Sequence, residues 1–269
     1  MTAHPPALSV TGVDLTEGDT PVLRGIDWVV QPEERWVVVG PNGSGKTSLL
    51  RLVSFQRGPT RGTVTVLGDT YGRTDIRASR RRIGFASTAV LQRLRPTLTA
   101  HDAVLTGREA ALEPWWHTYT EADHRRAEAL LDLVGCGSHG PQDVGSLSEG
   151  ERKRILVARV LMADPELLLF DEPCAGLDLG GREALVALLG ALADAPDERA
   201  MVMVTHHLEE IPRGVTHALV LRAGRIVAAG EIERTLTDET VSAAFGVDVS
   251  VGVEDGRWTA RVTTAPEHS

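Results

Sequence analysis

The chain has 269 residues, 42% of them apolar and 24% charged, with a formal net charge of −9. That balance excludes a mainly disordered chain and allows one large domain or two small ones. The acidic charge counts against a nucleic-acid-coating surface, and no run of 18 apolar residues offers a membrane span.

In chain order, Met1-Thr2-Ala3-His4-Pro5-Pro6 lacks the basic start and apolar stretch of a signal peptide. Cys136 and Cys174 make neither a disulfide framework nor a metal site. The expectation is a cytoplasmic protein without direct membrane insertion. Extended runs are predicted at Leu8–Val13, Leu23–Val30 and Arg35–Val39. Gly40–Gly45 is a glycine-rich loop, and Lys46–Ser54 reads as the helix that follows it. Gly62–Leu67 alternates like a strand, and the basic run Arg77–Arg82 precedes the apolar Ile83–Phe85.

Residues 97–136 read as helical. Thr120-Glu121-Ala122-Asp123 is a helix start that brings Ala127, Leu130, Leu131 and Val134 onto one face. Glu151–Met162 is a further helix. Leu167–Phe170, Arg182–Leu192, Met201–Thr205 and His217–Leu221 then alternate strand, helix, strand, strand. Apolar strands between helices imply an α/β fold with a parallel sheet covered on both faces. Val247–Val253 and Arg257–Val262, around Asp255-Gly256, read as a hairpin.

Gly40-Pro41-Asn42-Gly43-Ser44-Gly45-Lys46-Thr47, followed by Ser48, fits the phosphate-loop pattern between a strand and a helix. Glycines let backbone N–H groups converge on phosphate oxygens, and the helix N-terminus adds positive potential. Lys46 is expected to neutralise the β- and γ-phosphates of ATP, and the Thr47 hydroxyl to ligate Mg²⁺. Of 28 basic residues only Lys46 and Lys153 are lysine. An ammonium and a planar guanidinium are not interchangeable at a tight site, so the lysine at 46 carries meaning. Leu167–Phe170 runs into Asp171-Glu172-Pro173 and delivers two carboxylates to the sheet edge. Asp171 is expected to hold Mg²⁺, and Glu172 to act as general base on the attacking water.

Leu147-Ser148-Glu149-Gly150-Glu151-Arg152 resembles the signature motif of ATP-binding cassette (ABC) ATPases, and Ser148 lies 23 residues before Asp171. Ala175-Gly176-Leu177-Asp178 resembles the family's D-loop, and Thr205-His206 its switch histidine. Five motifs in the family's order cover residues 8–235. The resemblance implies a phosphate-loop NTPase core with an N-terminal antiparallel β subdomain and a helical insert. The cassette spans 7–236, its insert about 91–146, and 237–269 is a small extension with a helix and a hairpin. It further implies a head-to-tail dimer with a second copy or a homologous cassette. Ser148, Gly150 and Glu151 would then touch the partner's nucleotide, Asp178 would report across the dimer, and His206 would contact the γ-phosphate.

Three motifs depart from the family pattern. Glu149 and Glu151 stand where Gly and Gln are commonest. The Q-loop glutamine is Thr88 by ungapped counting or Gln92 by an insertion, and Gln92 is preferred. Glu17 stands where an aromatic stacks on adenine, while Trp28 and Trp36 are assigned to the core. The leading reading is the importer-like ATPase subunit of an ABC transporter, at the inner face of the membrane beside separate permease subunits. Leu91–Tyr119, with Trp115-Trp116, is the candidate docking surface. Two alternatives stay open: a soluble cassette ATPase acting on nucleic acid or ribosomes, and a low-turnover ATP-gated regulator.

Overall fold

The computed structural model describes residues 5–114, 117–196 and 199–263. Its main sheet is built from nearly uninterrupted apolar strands, as burial on both faces demands. The chain opens with β1 (Leu8–Glu17) and β2 (Thr20–Val30), an antiparallel pair. β3 (Arg35–Val39), buried at every position, then leads through the glycine loop into α1 (Lys46–Val53). β4 (Arg61–Val66) and β5 (Asp69–Thr70) complete a four-stranded antiparallel sheet in the order β2-β1-β4-β5.

The basic run becomes α2 (Ile76–Arg81), because the Asp75 side chain accepts from the Arg77 N–H at its start. β6 (Ile83–Ser87) and the one-turn α3 (Thr88–Leu91) follow. The stretch expected to be helical from 97 to 136 is broken into two. α4 (Ala100–Leu105) tightens into a 3-10 turn, Thr106–Glu109, and α5 (Glu121–Leu133) begins only at the Thr120–Asp123 capping box. Two local causes separate them. Gly107 lies so close to α6 that a Cβ there would sit 2.0 Å from the Arg159 carbonyl oxygen. Pro114 disfavours helical backbone at Glu113. Trp115 and Trp116 lie outside the described residues.

α6 (Glu149–Met162) and β7 (Leu167–Asp171) come next. α7 (Leu179–Ala193) starts three residues earlier than its sequence suggests. Gly180-Gly181 hides that start, since glycine is a poor helix former, but Asp178 caps it by accepting from the Gly181 N–H at 2.8 Å. β8 (Ala200–Thr205), β9 (His217–Arg222) and β10 (Arg225–Glu231) finish the main sheet in the order β10-β9-β3-β8-β7-β6, with β10 antiparallel to β9. α8 (Ile232–Thr235), α9 (Asp238–Phe245) and the hairpin β11 (Val249–Glu254) and β12 (Arg257–Val262) close the described chain.

Alternation along the strands feeds separate cores. Val202 and Val204 of β8 join α1 and the antiparallel sheet. Met201 and Met203 join α4 to α7, with Phe170. Val37, Val39 and Val220 meet α8 and α9. Trp28 and Trp36 are buried and meet edge to face at 5.6 Å, which bears out their core assignment.

Arg159 fastens the helical layer from inside. Its side chain is buried, and that burial pushes its pKa down to about 10. It donates to Thr106 Oγ1 at 3.4 Å and to the Ala111 carbonyl at 2.6 Å. Arg159→Ala should lower the unfolding free energy by about 2–4 kcal/mol, from lost stem packing and an unsatisfied carbonyl. Urea titration checks this, with Arg159→Met expected to recover the packing part only.

Candidate functional site

The site gathers where β3, β7 and β8 end side by side. β3 pairs with β8 and β8 with β7, all parallel, so the loops leaving their C-terminal ends share one edge. Gly40 leaves β3 so close to β9 that a Cβ would stand 2.1 Å from the Leu221 carbonyl. Only glycine fits there, which lets the loop turn immediately into α1. Ser44, inside the loop, is 2% exposed, and its Oγ has no hydrogen-bond partner among the described residues. Such an orphaned donor in a glycine cradle suits a phosphate oxygen. Pro41, Asn42, Gly43 and Gly45 complete the loop, and Lys46, Thr47 and Ser48 form the first turn of α1, where N–H groups lack intrahelical acceptors.

Lys46 is 4% exposed. Its ammonium donates to the carbonyls of Gly40 at 2.8 Å and Pro41 at 3.1 Å, and lies 3.9 Å from Glu172 Oε1. Burial lowers its pKa, while Glu172 and Asp171 oppose that shift. The Thr47 hydroxyl donates to Asp171 Oδ1 at 2.9 Å. A hydroxyl beside a carboxylate is an all-oxygen donor set that fits a hard cation completed by phosphates. Burial raises the pKa of Asp171, against the Thr47 hydrogen bond.

Glu172 sits in the left-handed region, φ 47°. A non-glycine residue held there is strained and needs support. Its N–H donates to the Val204 carbonyl at 3.1 Å, so the ladder to β8 continues one residue past β7. His206 Nδ1 lies 3.3 Å from Glu172 Oε1. Thr205, just before it, donates its hydroxyl to the buried carboxylate of Glu210. Sequence reasoning missed Glu210, since nothing in a Leu-Glu-Glu turn marks which acid points inward.

Ser148 and Asp178 cap two helices that begin side by side. A Cβ on Gly150 would lie 3.7 Å from Gly181 Cα, so α6 and α7 touch at their first turns. Lys153, half of the chain's lysine, donates its ammonium to the Ala175 carbonyl and clamps the two segments together. The extra acids are locally matched. Glu151 Oε2 accepts from the Ser148 N–H and hydroxyl, both at 2.8 Å, and Oε1 is 3.0 Å from His139. The Ser148 hydrogen bonds pull the Glu151 pKa down. Glu149 accepts from Arg152 at 2.7 Å.

The Q-loop alternatives separate. Ser87 is in register with Asp171, and Thr88 lines the small cavity beside Asp171 and Lys153. Gln92 is exposed at the far end of α3 and does not line it. Glu17 ends β1 with Oε1 3.7 Å from the Arg57 guanidinium, an ion pair in place of an aromatic. Cys174, three residues past the end of β7, is buried, and burial pushes its thiol up to about 12.

Residues 23–175 match the ABC transporter family. An uncharacterized ABC transporter ATP-binding protein, YlmA, of Bacillus subtilis (strain 168) is 37% identical over 91% of this chain and 92% of its own length. A putative metal-chelate type ABC transporter in an inward-facing conformation has the same fold, with a TM-score of 0.77 at 24% identity over 98% of this chain and 99% of that one. The ATP-binding cassette MJ0796, solved as a dimer in a post-hydrolysis state with ADP and Pi, gives 0.72 at 23% identity over 84% of this chain and 98% of that one.

A buried carboxyl with a raised pKa favours folding while protonated and opposes it once ionised. Its stabilising contribution is present below the unfolded-state pKa and is lost as pH rises through the higher folded value. Asp171→Asn should therefore raise the unfolding midpoint of the nucleotide-free protein at neutral pH. The gain should vanish as pH falls through the carboxylate range. Thermal melts from pH 3.5 to 8 check this.

Proposed function

The chain belongs to the ABC transporter family as an ATP-binding, ATP-hydrolysing subunit, and from that premise we propose that two such cassettes, each charged with Mg-ATP, drive solute import through separate permease subunits. The observation that carries the site assignment is one convergence. Lys46, the Thr47–Asp171 pair and the Glu172–His206 pair all meet where the glycine loop leaves β3.

In this reading Gly40 to Ser48 hold the phosphates, with Lys46 supplying the matched positive charge. Thr47 and Asp171 hold Mg²⁺, which when bound neutralises charge on the phosphate oxygens. Glu172 takes the proton of the attacking water, and His206 orients that water and the γ-phosphate. Asp171 is engaged by Thr47 while Glu172 faces His206 and Lys46, so adjacent acids serve different atoms. Ser148, Gly150 and Glu151 serve the nucleotide of a second cassette, and Asp178 reports across that interface. The touching N-termini of α6 and α7 support this, because both present positive helix ends on one surface.

Residues 7–236 are proposed as the cassette, with the insert near 91–146, and 237–269 as its extension. A cavity of about 580 Å³ supports a permease contact. Phe85 lines it from the edge strand β6, Val90 from α3 and Leu112 from the insert, and Arg80, Arg93 and Arg108 contribute to its wall. Arg93, Gly107, Arg108, Ala110 and Leu112 bring part of the Leu91–Tyr119 region expected to dock into its wall, and a permease contact there would set the protein at the inner membrane face. No described helix is long and apolar enough to cross a membrane.

Glu172→Gln should bind ATP normally, accumulate as an ATP-bound dimer and turn over at least about a hundredfold more slowly. Wild-type turnover by that variant would reject the assignment of the base. Lys46→Ala should lose tight ATP binding by calorimetry, whereas Ser148→Arg should keep it and lose cooperative turnover. Mixing the two should restore activity, since one composite site then carries neither change. No recovery on mixing, with both proteins folded, would reject the head-to-tail arrangement.

A further inference from the structure

The C-terminal hairpin lies against the residues that follow His206. The switch segment is closed on itself. The His207 N–H donates to Thr205 Oγ1 at 3.1 Å, that hydroxyl donates to the buried Glu210, and the Glu210 N–H donates to the His207 carbonyl at 3.3 Å. Leu208 and Ile211 anchor this turn in the third core, against which Val251, Trp258 and Ala260 of the hairpin pack. A turn so built moves as a unit, and His206 moves with it.

Glu209 is the handle on the outside of that unit. Its Oε1 accepts from the Ala260 N–H at 3.3 Å, and its backbone carbonyl accepts from the Arg257 guanidinium. The other arm of Arg257 donates to Glu183 Oε2 at 2.8 Å, a contact that pulls the Glu183 pKa down. Glu183 stands on α7, five residues after its cap Asp178. The hairpin tip is fixed separately, by Arg213 donating to the Asp255 carbonyl. One side chain thus bridges the turn behind His206 and the helix that opens at Asp178.

A planar guanidinium with a fixed fork of donors can hold two acceptors in a set direction, which an ammonium cannot. We infer that Arg257 is a positioning residue for hydrolysis: it fixes the turn Leu208–Glu210 against α7 and so holds His206 over Glu172. The inference rests on the proposed role of His206 at the γ-phosphate. Nucleotide binding needs none of these contacts, because the phosphate loop lies on α1 and touches neither the hairpin nor α7 through any of them. The effect therefore falls on the chemical step and not on affinity.

The test uses the full-length protein with Arg257→Ala, Arg257→Lys, Glu183→Gln, His206→Ala and the double variant Arg257→Ala/His206→Ala. Single-turnover hydrolysis rate, ATP dissociation constant and the His206 imidazole resonances are measured, with thermal melts confirming the fold. Arg257→Ala should slow hydrolysis about ten- to a hundredfold at unchanged ATP affinity, as misplacement of a reacting group does. It should also shift the imidazole resonances. Arg257→Lys should recover little, and Glu183→Gln should lose less than Arg257→Ala. In the His206→Ala background the Arg257 change should cost nothing further. Should Arg257→Ala fail to fold, Arg257→Lys and Glu183→Gln carry the same comparison. A wild-type rate with unmoved resonances in the folded Arg257 variants overturns the inference, as does a loss in the double variant equal to the product of the single losses. A wild-type rate in His206→Ala is a different failure: it overturns the role of His206 and takes this inference with it.

Discussion

A buried ammonium organises the molecule. Lys46 is almost wholly removed from solvent, and an isolated charge in such a place is prohibitively costly. Its partners come from two separate stretches of chain, and a third holds one of them in place. The loop supplies two carbonyls, β7 ends where it must to bring Glu172 within 3.9 Å, and β8 supplies the carbonyl that holds the Glu172 backbone. Loop, strand end and switch turn therefore depend on one another. The left-handed backbone at Glu172 is held by the Val204 carbonyl on one side and by the Lys46 and His206 contacts of its carboxylate on the other.

Local chemistry was legible in the sequence where residues act through near neighbours. The glycine loop and its helix, the acidic strand end, the Thr120 capping box and the two buried tryptophans needed only short-range pattern. The start of α7 was obscured because Gly180-Gly181 contradicts helix propensity while the Asp178 cap overrides it. The break in the insert was obscured because it depends on Gly107 meeting the backbone of α6, a contact between distant segments. Glu210 and Arg257 were silent for the same reason. Arg257 finds its acceptors 48 and 74 residues away, and no local motif encodes that.

The departures from family pattern also look different once neighbours are known. Two acids at the head of α6 would repel a phosphate if free. Here Glu149 is matched by Arg152, while Glu151 is divided between the Ser148 cap and His139. Ser148 has one hydroxyl proton, and Glu151 currently accepts it. In the proposed dimer, engaging a partner's phosphate would require an exchange of acceptor, and the cap of α6 would be coupled to that exchange. Gly150 and Gly181 keep the adjoining helix starts close enough for such a change to be felt by Asp178.

The scarcity of lysine has a practical side. Both lysines are at most 5% exposed, and both ammoniums are occupied by carbonyl oxygens. The folded surface carries its positive charge almost entirely as guanidinium. Amine-directed acylating reagents and cross-linkers will find no exposed lysine among the described residues, so covalent mapping of this protein's assemblies is better served by carboxylate- or arginine-directed chemistry. Conversely, the appearance of a reactive side-chain amine reports that one of two particular places, the phosphate loop or the clamp between α6 and the Ala175 segment, has opened.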